Sequence, residues 1–273
     1  MLTFFFLMLA GIVGGFIAGL IGIGGGIVYV FVIPIALKLM GVPDAEIAQY
    51  TVANSIFAIF FASASANYAL VKLKNFHYRP VLITSLFSII SSLLTLAFIV
   101  NTDWYSVKKF NLVVVLLLIY MLIFTLISAK KNYRFPLKKI KIWQFGLVGL
   151  SSGLVASVSG LGGGIVIIPL LNSVMKVDIK KSSSISSGVI MVTSLVMTMF
   201  NLMEETRFPF SNYNMGYIVF PIGLVLAAGV IFSSPFGVRT AAKASPKTIS
   251  YIYASILGIV ISKKVIELIF IYK

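Results

Sequence analysis

The residues best placed to do chemistry in this sequence are neutral. Two Gly-rich runs, Gly22-Ile-Gly-Gly-Gly26 and Gly160-Leu-Gly-Gly-Gly164, each follow a long apolar segment. Consecutive glycines adopt backbone angles closed to other residues. A helix restarting at Ile27 or Ile165 would aim its unpaired N–H groups and positive pole at the run. That geometry binds an anion with no charged side chain. Gly24, Gly25, Gly26, Gly162, Gly163 and Gly164 are therefore candidate substrate-binding positions. Two clusters of amides and hydroxyls join them: Gln49, Thr51, Asn54 and Ser55 in the first half of the chain, and Ser184 and Ser187 in the second, with Ser186 and Thr193 close by. Amides and hydroxyls donate hydrogen bonds suited to oxyanion oxygens. Each feature also has a structural reading, in which small residues four apart, such as Gly11, Gly15 and Gly19, let helices approach and hydroxyls bond between helices.

Enzyme chemistry has no residues to carry it. With no cysteine, thiol nucleophiles, thiolate metal sites and disulfides are excluded. The one histidine, His77, lies in the basic stretch Lys72–Arg79. The seven carboxylates fall mostly between apolar segments, as Asp44 with Glu46, Asp103, Asp178, and Glu204 with Glu205. No paired carboxylates or His cluster marks a hydrolytic or metal centre. A dinucleotide site fails too, because its Gly run needs a strand and an acidic residue in a soluble βαβ unit. The sequence predicts no enzyme, no catalytic residue, no metal and no cofactor.

What positions the Gly runs is a membrane scaffold. The chain has 273 residues, 59% hydrophobic and 11% charged, with mean hydropathy +1.06. Residues 1–37, 48–71, 80–101, 110–129, 142–175, 182–203 and 208–238 contain no charged side chain. Such stretches read as membrane spans. The opening segment lacks a basic start and a small-residue cleavage site, so it reads as mature protein. One helix over residues 1–37 would be about 55 Å long against a hydrocarbon core of about 30 Å. It must break, and the glycines are where helix is least favoured. Residues 142–175 repeat the problem and the solution. Broken backbone at that depth has to be buried in protein or line a water-filled cavity.

The two Gly-rich segments match in register at a separation of 138 residues, from Gly15 with Gly153 to Gly26 with Gly164. Pro34 and Pro169 follow, and the polar clusters occupy equivalent places, with Thr51 aligned to Ser184 and Asn54 to Ser187. The expected fold is an all-α polytopic membrane protein of two tandem, inverted repeats. About 8–10 membrane helices are expected, with a Gly-broken helix opening each half. The first repeat is placed at 1–129, a basic cytoplasmic linker at 130–141, and the second repeat at 142–273.

These residues resemble the sulfite exporter TauE/SafE family, also called the 4-toluene sulfonate uptake permease family. Its members are duplicated, are similar in length, and begin each half with a Gly-rich segment ending in G-x-G-G-G. The resemblance covers essentially the whole chain. It implies transport of sulfite, sulfonates or related organosulfur anions across the bacterial inner membrane, and it does not single out one substrate.

Charge placement bears on orientation. The net charge is +15, but the 22 basic residues are spread over short loops without the interleaved aromatics of a nucleic-acid surface. A positive-inside signal accounts for them. If each Gly-rich segment turns back to its starting side, with Met1 outside, 15 basic residues fall inside and 7 outside. If each crosses once, with Met1 inside, the division is 13 to 9. The hairpin reading is favoured, and it puts Lys130–Lys141 and Lys176–Lys181 in the cytoplasm. Trp104 and Trp143 lie beside loops, where an interfacial aromatic belt would hold them. The expected partners are a small anion and the bilayer, with no nucleic acid; a homo-oligomer is compatible with the sequence. The expected mechanism is alternating access around a site between the two Gly breaks. An anion channel, and a non-transporting membrane subunit or assembly factor, are the alternatives left open. With no carboxylate or histidine inside the spans before the C-terminal tail, a proton relay has no residue. The membrane potential alone is expected to drive the anion outward.

Overall fold

A computed structural model describes residues 2–100, individual positions from 112 to 137, 140–206 and 213–270. Trp104, Asp103 and most of the basic stretch 130–141 lie outside the described residues. The chain opens with α1 (Leu2–Ile21), twenty residues without a charge, about 30 Å of helix. It ends at Gly22, whose φ is +81°. After the tip the chain resumes as α2 (Gly26–Leu39), at about 21 Å too short to cross a bilayer. Tyr29 of α2 packs against Gly14 of α1, and Gly25 lies against the Gly14 carbonyl. Gly14 is two turns before the end of α1, so the chain has doubled back on itself.

The sequence then forms α3 (Ile47–Lys72), which is the most buried of the long helices, and α4 (Tyr78–Thr95), which runs on through a π turn, Leu96–Val100. The described positions between 112 and 127 are helical. The second half repeats the opening, with α5 (Ile142–Ser159) ending at Gly160 and α6 (Gly164–Pro169) continued by a π turn, Leu170–Val174. Gly163 lies against Ser152 just as Gly25 lies against Gly14, eleven residues back in each case. Helix α7 (Ile179–Met203) is N-capped by Asp178, whose carboxylate accepts from the Lys180 and Lys181 amides. A short antiparallel hairpin of β1 (Asn214–Met215) and β2 (Ile218–Val219) leads into α8 (Phe220–Lys243) and α9 (Pro246–Phe270).

Six of these helices, α1, α3, α4, α5, α7 and α8, are long and apolar enough to span a membrane. The protein is an all-α polytopic membrane protein. Small residues set its tightest seams. Gly11, Gly15 and Gly19 of α1 meet α8 at Leu226, Val230 and Ser234, while Gly149 and Gly153 of α5 meet the α4 carbonyls of Thr84 and Ser88. At these positions the glycines act in packing, as small residues do in membrane bundles. Helices α3 and α7 pack on each other at the centre, α3 also against α8 and α7 against α4.

Bonds between distant loops fix which ends share a face. Ser184 donates to the Asn75 carbonyl, and Lys180 Nζ donates to the Ala242 carbonyl at 2.9 Å. The basic loops 72–79, 176–181 and 239–247 therefore lie together. His77 belongs to this face, and burial, followed by the nearby Lys181 ammonium, holds its imidazole below the ordinary histidine range. At the opposite end, Lys38 pairs with Asp44 at 3.2 Å, and Tyr50 stacks edge-to-face on Tyr217 with centroids 5.1 Å apart.

Candidate functional site

The two Gly-rich tips meet in the middle of the protein. Gly26 lies against the backbone of Leu161, and Gly164 against the backbone of Ile23. All six glycines singled out in the sequence, Gly24 to Gly26 and Gly162 to Gly164, are buried. Helices α2 and α6 restart at Gly26 and Gly164, one residue earlier than the sequence suggests. Side chains would not fit here. At Gly25, φ is +75° and a methyl group would collide with the Gly14 carbonyl and stand 2.7 Å from the Tyr29 hydroxyl.

Each tip is tied to the opposite half by one hydroxyl. Ser55 on α3 donates to the Gly160 carbonyl at 2.5 Å, and Ser186 on α7 donates to the Gly22 carbonyl at 2.7 Å. Gly22 and Gly160 are the first glycines of the two runs. By bonding, then, Ser55 corresponds to Ser186, two residues away from the register that pairs Thr51 with Ser184. Asn54 donates to the Tyr50 carbonyl at 2.7 Å and the Tyr217 carbonyl at 3.0 Å, and accepts from the Val219 amide at 2.8 Å. Its amide tethers the β1–β2 hairpin to α3. Ser184 is bonded to Asn75. Thr51 is fully buried, with no partner for its hydroxyl among the described residues. Gln49 is buried at the start of α3.

Ser187 has a different position. It lines a cavity of about 260 Å³ on the face that carries the basic loops. The end of α1 from Gly19 to Gly22, the ends of α3 and α8, and the beginnings of α7 and α9 form its walls. Lys180, Ser183, Ser187 and Asn75 contribute the polar groups. The cavity thus runs from a lysine to the first glycine of the first tip. Lys180, Ser183 and Asn75 were not among the sequence candidates. Their signal was the run Lys180-Lys-Ser-Ser-Ser184, where a cationic loop passes directly into a hydroxyl-rich helix.

A second, much smaller cavity lies beside the other tip. Ser88, Ser152, Thr193 and Ser194 line it, together with Gly162, Gly163 and six apolar residues, among them Ile56, Ile59 and Met197. Ser88 and Ser152 hydrogen-bond each other at 3.1 Å, and the buried Thr193 hydroxyl has no partner among the described residues.

Among the described residues no group of histidines and carboxylates is clustered to hold a metal. What the arrangement offers is a mostly apolar recess that carries Lys180 and the hydroxyls of Ser183 and Ser187 and ends on a broken helix.

Comparison with known proteins points to a membrane transporter. A probable membrane transporter protein of Methanocaldococcus jannaschii is 31% identical, over 93% of this chain and 92% of its own length. A probable membrane transporter protein of Haemophilus influenzae is 28% identical, over 95% of this chain and 97% of its own length. The family model for the sulfite exporter TauE/SafE matches residues 7–263. The chain belongs to the TauE/SafE family of membrane transporters.

Proposed function

We propose that this protein carries a small organosulfur anion, sulfite or a sulfonate, across the plasma membrane, using the basic-mouthed cavity as the entrance to a site between the two Gly tips. The observation that carries this reading is the cavity itself, which joins Lys180 to Ser183, Ser187 and Gly22. An ammonium near the mouth raises the local anion concentration. Hydroxyls further in replace water around the oxyanion without trapping it as a buried ion pair would.

The halves, 1–129 and 142–273, act as inverted repeats about the linker 130–141. Three features support this. Helices α1 and α8 pack as α5 and α4 do, the tips contact each other reciprocally, and Ser55 and Ser186 make matching bonds. Alternating access is favoured over an open channel because Gly26 and Gly164 each sit against the backbone of the opposite tip. The face bearing loops 72–79, 176–181 and 239–247 is cytoplasmic by the positive-inside rule. That is the hairpin orientation, since a single crossing of each Gly segment would put loops 72–79 and 176–181 on opposite sides.

Purified protein in liposomes tests the reading with sulfite, thiosulfate, sulfonates and small carboxylates. Saturable flux of an organosulfur anion is expected, lowered about tenfold in Lys180→Gln, the loss of roughly one charge interaction of ~1.4 kcal/mol. No flux with any of these anions would favour a non-transporting membrane subunit. Orientation is checked on the cysteine-free background: a cysteine at Asp178 labelled only from outside would refute it.

A further inference from the structure

We propose that the seam between the ends of α3 and α8, on the basic face, binds an anionic phospholipid, with its phosphate at Lys72 and Arg239 and an acyl chain along the aromatic side chains beside them. The two helices run side by side in the same direction. Asn54 of α3 is bonded to Val219 at the start of α8, Ser234 donates to the Ala62 carbonyl at 2.8 Å, and Val238 packs with Ala66, Ala69 and Leu70. Lys72, the last residue of α3, and Arg239, one turn before the end of α8, therefore stand at a similar level.

Each cation lies over an aromatic ring of its own helix. Lys72 Nζ is 4.4 Å from the Tyr68 ring centroid, and Arg239 Cζ is 5.8 Å from that of Phe236. Tyr68 is 63% exposed, Phe236 59%, and Phe232, one turn further back, 71%. Rings that face outward from a membrane bundle face lipid, and a cation one turn beyond a ring marks the boundary between hydrocarbon and headgroups. The seam is thus an apolar track ending in two cations, which matches a lipid chain and its phosphate.

The charge balance makes that lipid anionic. Loops 72–79, 176–181 and 239–247, which share this face, hold nine lysines and arginines against one carboxylate, Asp178. Asp178 is engaged as the N-cap of α7, and none of the nine has an ion-pair partner among the described residues. Such a surface attracts anionic headgroups in preference to zwitterionic ones. Leu70, Leu73 and Val238, at the same helix ends, line the entrance cavity, so a lipid seated here would brace two of its walls. Binding itself does not rest on the transport reading and is measured without it.

Thermal unfolding of the purified full-length protein in detergent micelles is followed as phosphatidylglycerol, phosphatidylcholine of the same chains, or glycerol phosphate is added. A saturable rise in Tm of roughly 2–5 °C is expected with phosphatidylglycerol alone. Combining Lys72→Gln with Arg239→Gln should remove most of the rise. Combining Lys176→Gln with Lys247→Gln takes the same charge from the same face and should keep it. All four side chains are exposed, so both double variants should fold. Equal loss in the two would overturn the site by showing diffuse attraction to the whole face. An equal rise with phosphatidylcholine would overturn the anionic requirement, and an equal rise with glycerol phosphate would overturn the lipid and leave a soluble anion as the occupant.

Discussion

The two Gly tips share the pattern G-x-G-G-G but differ in what fills the space behind them. Behind the first, a glycine at position 14 admits the Tyr29 ring, and the chain at Gly25 takes φ +75° to pass it. Behind the second, Ser152 stands where the first has Gly14, Ile167 stands where the first has Tyr29, and Gly163 has φ −65°. One side is filled by a ring, while the other leaves a small gap that Ser88, Ser152, Thr193 and Ser194 share with apolar side chains. Near-identical backbone motifs therefore do not have equivalent surroundings: the residue at position 14 or 152 decides what lies behind each tip.

Substitution at the tips should show the largest effect. Gly25→Leu and Gly163→Leu should each abolish anion flux while leaving membrane insertion intact, because a large side chain would force apart helices in van der Waals contact. Alanine sharpens the contrast. Gly25→Ala meets both an unfavourable φ and a backbone carbonyl, and should cost about 3 kcal/mol. Gly163→Ala keeps an ordinary φ and meets the Ser152 hydroxyl at 2.5 Å and its carbonyl at 2.9 Å, so it should cost less, about 2 kcal/mol. Unfolding in detergent measures both, and equal losses would erase the distinction between the tips.

The cross-half tethers should give a smaller and symmetric effect. Ser55→Ala and Ser186→Ala each remove one buried bond to a tip carbonyl and should each lower stability by about 1 kcal/mol. A loss confined to one of them would mean that the matching bonds are not equivalent. The smallest effect belongs to Tyr29→Phe. The Tyr29 hydroxyl is buried without a hydrogen-bond partner among the described residues, so deleting it should leave Tm unchanged or raise it, by up to about 1 kcal/mol in stability. A clear drop in Tm would show that the hydroxyl has a partner, such as a buried water, and that the first tip is less closed than its packing indicates.

Much of this arrangement could be read along the chain. The break at each Gly run follows from length, since a charge-free segment too long for the bilayer must interrupt its helix where helix is weakest. The hairpin direction follows from basic-residue counts, and bonds among loops 72–79, 176–181 and 239–247 agree with it. Asn54 could not be read that way. As an amide within a polar patch it is an equally good ligand or tether, and only its three bonds to Tyr50, Tyr217 and Val219 show it to be engaged. Lys180 was legible as a loop charge but not as a cavity wall, because the cavity is assembled from five helices.

The sequence by itself determined that the chain is embedded in a membrane, that its helices break at two matched places, and that nearly all its charges lie between the apolar segments. These are properties of composition and spacing, and the cost of putting charge or unpaired backbone into hydrocarbon enforces them locally. Tertiary structure alone decided which hydroxyls are satisfied and which face a cavity. Each residue along a helix turns about 100° from the last, and the partners of Ser55, Ser186 and Asn54 lie more than a hundred residues away in the chain. A one-position error in register exchanges a bonded hydroxyl for an open one, and only packing fixes that register.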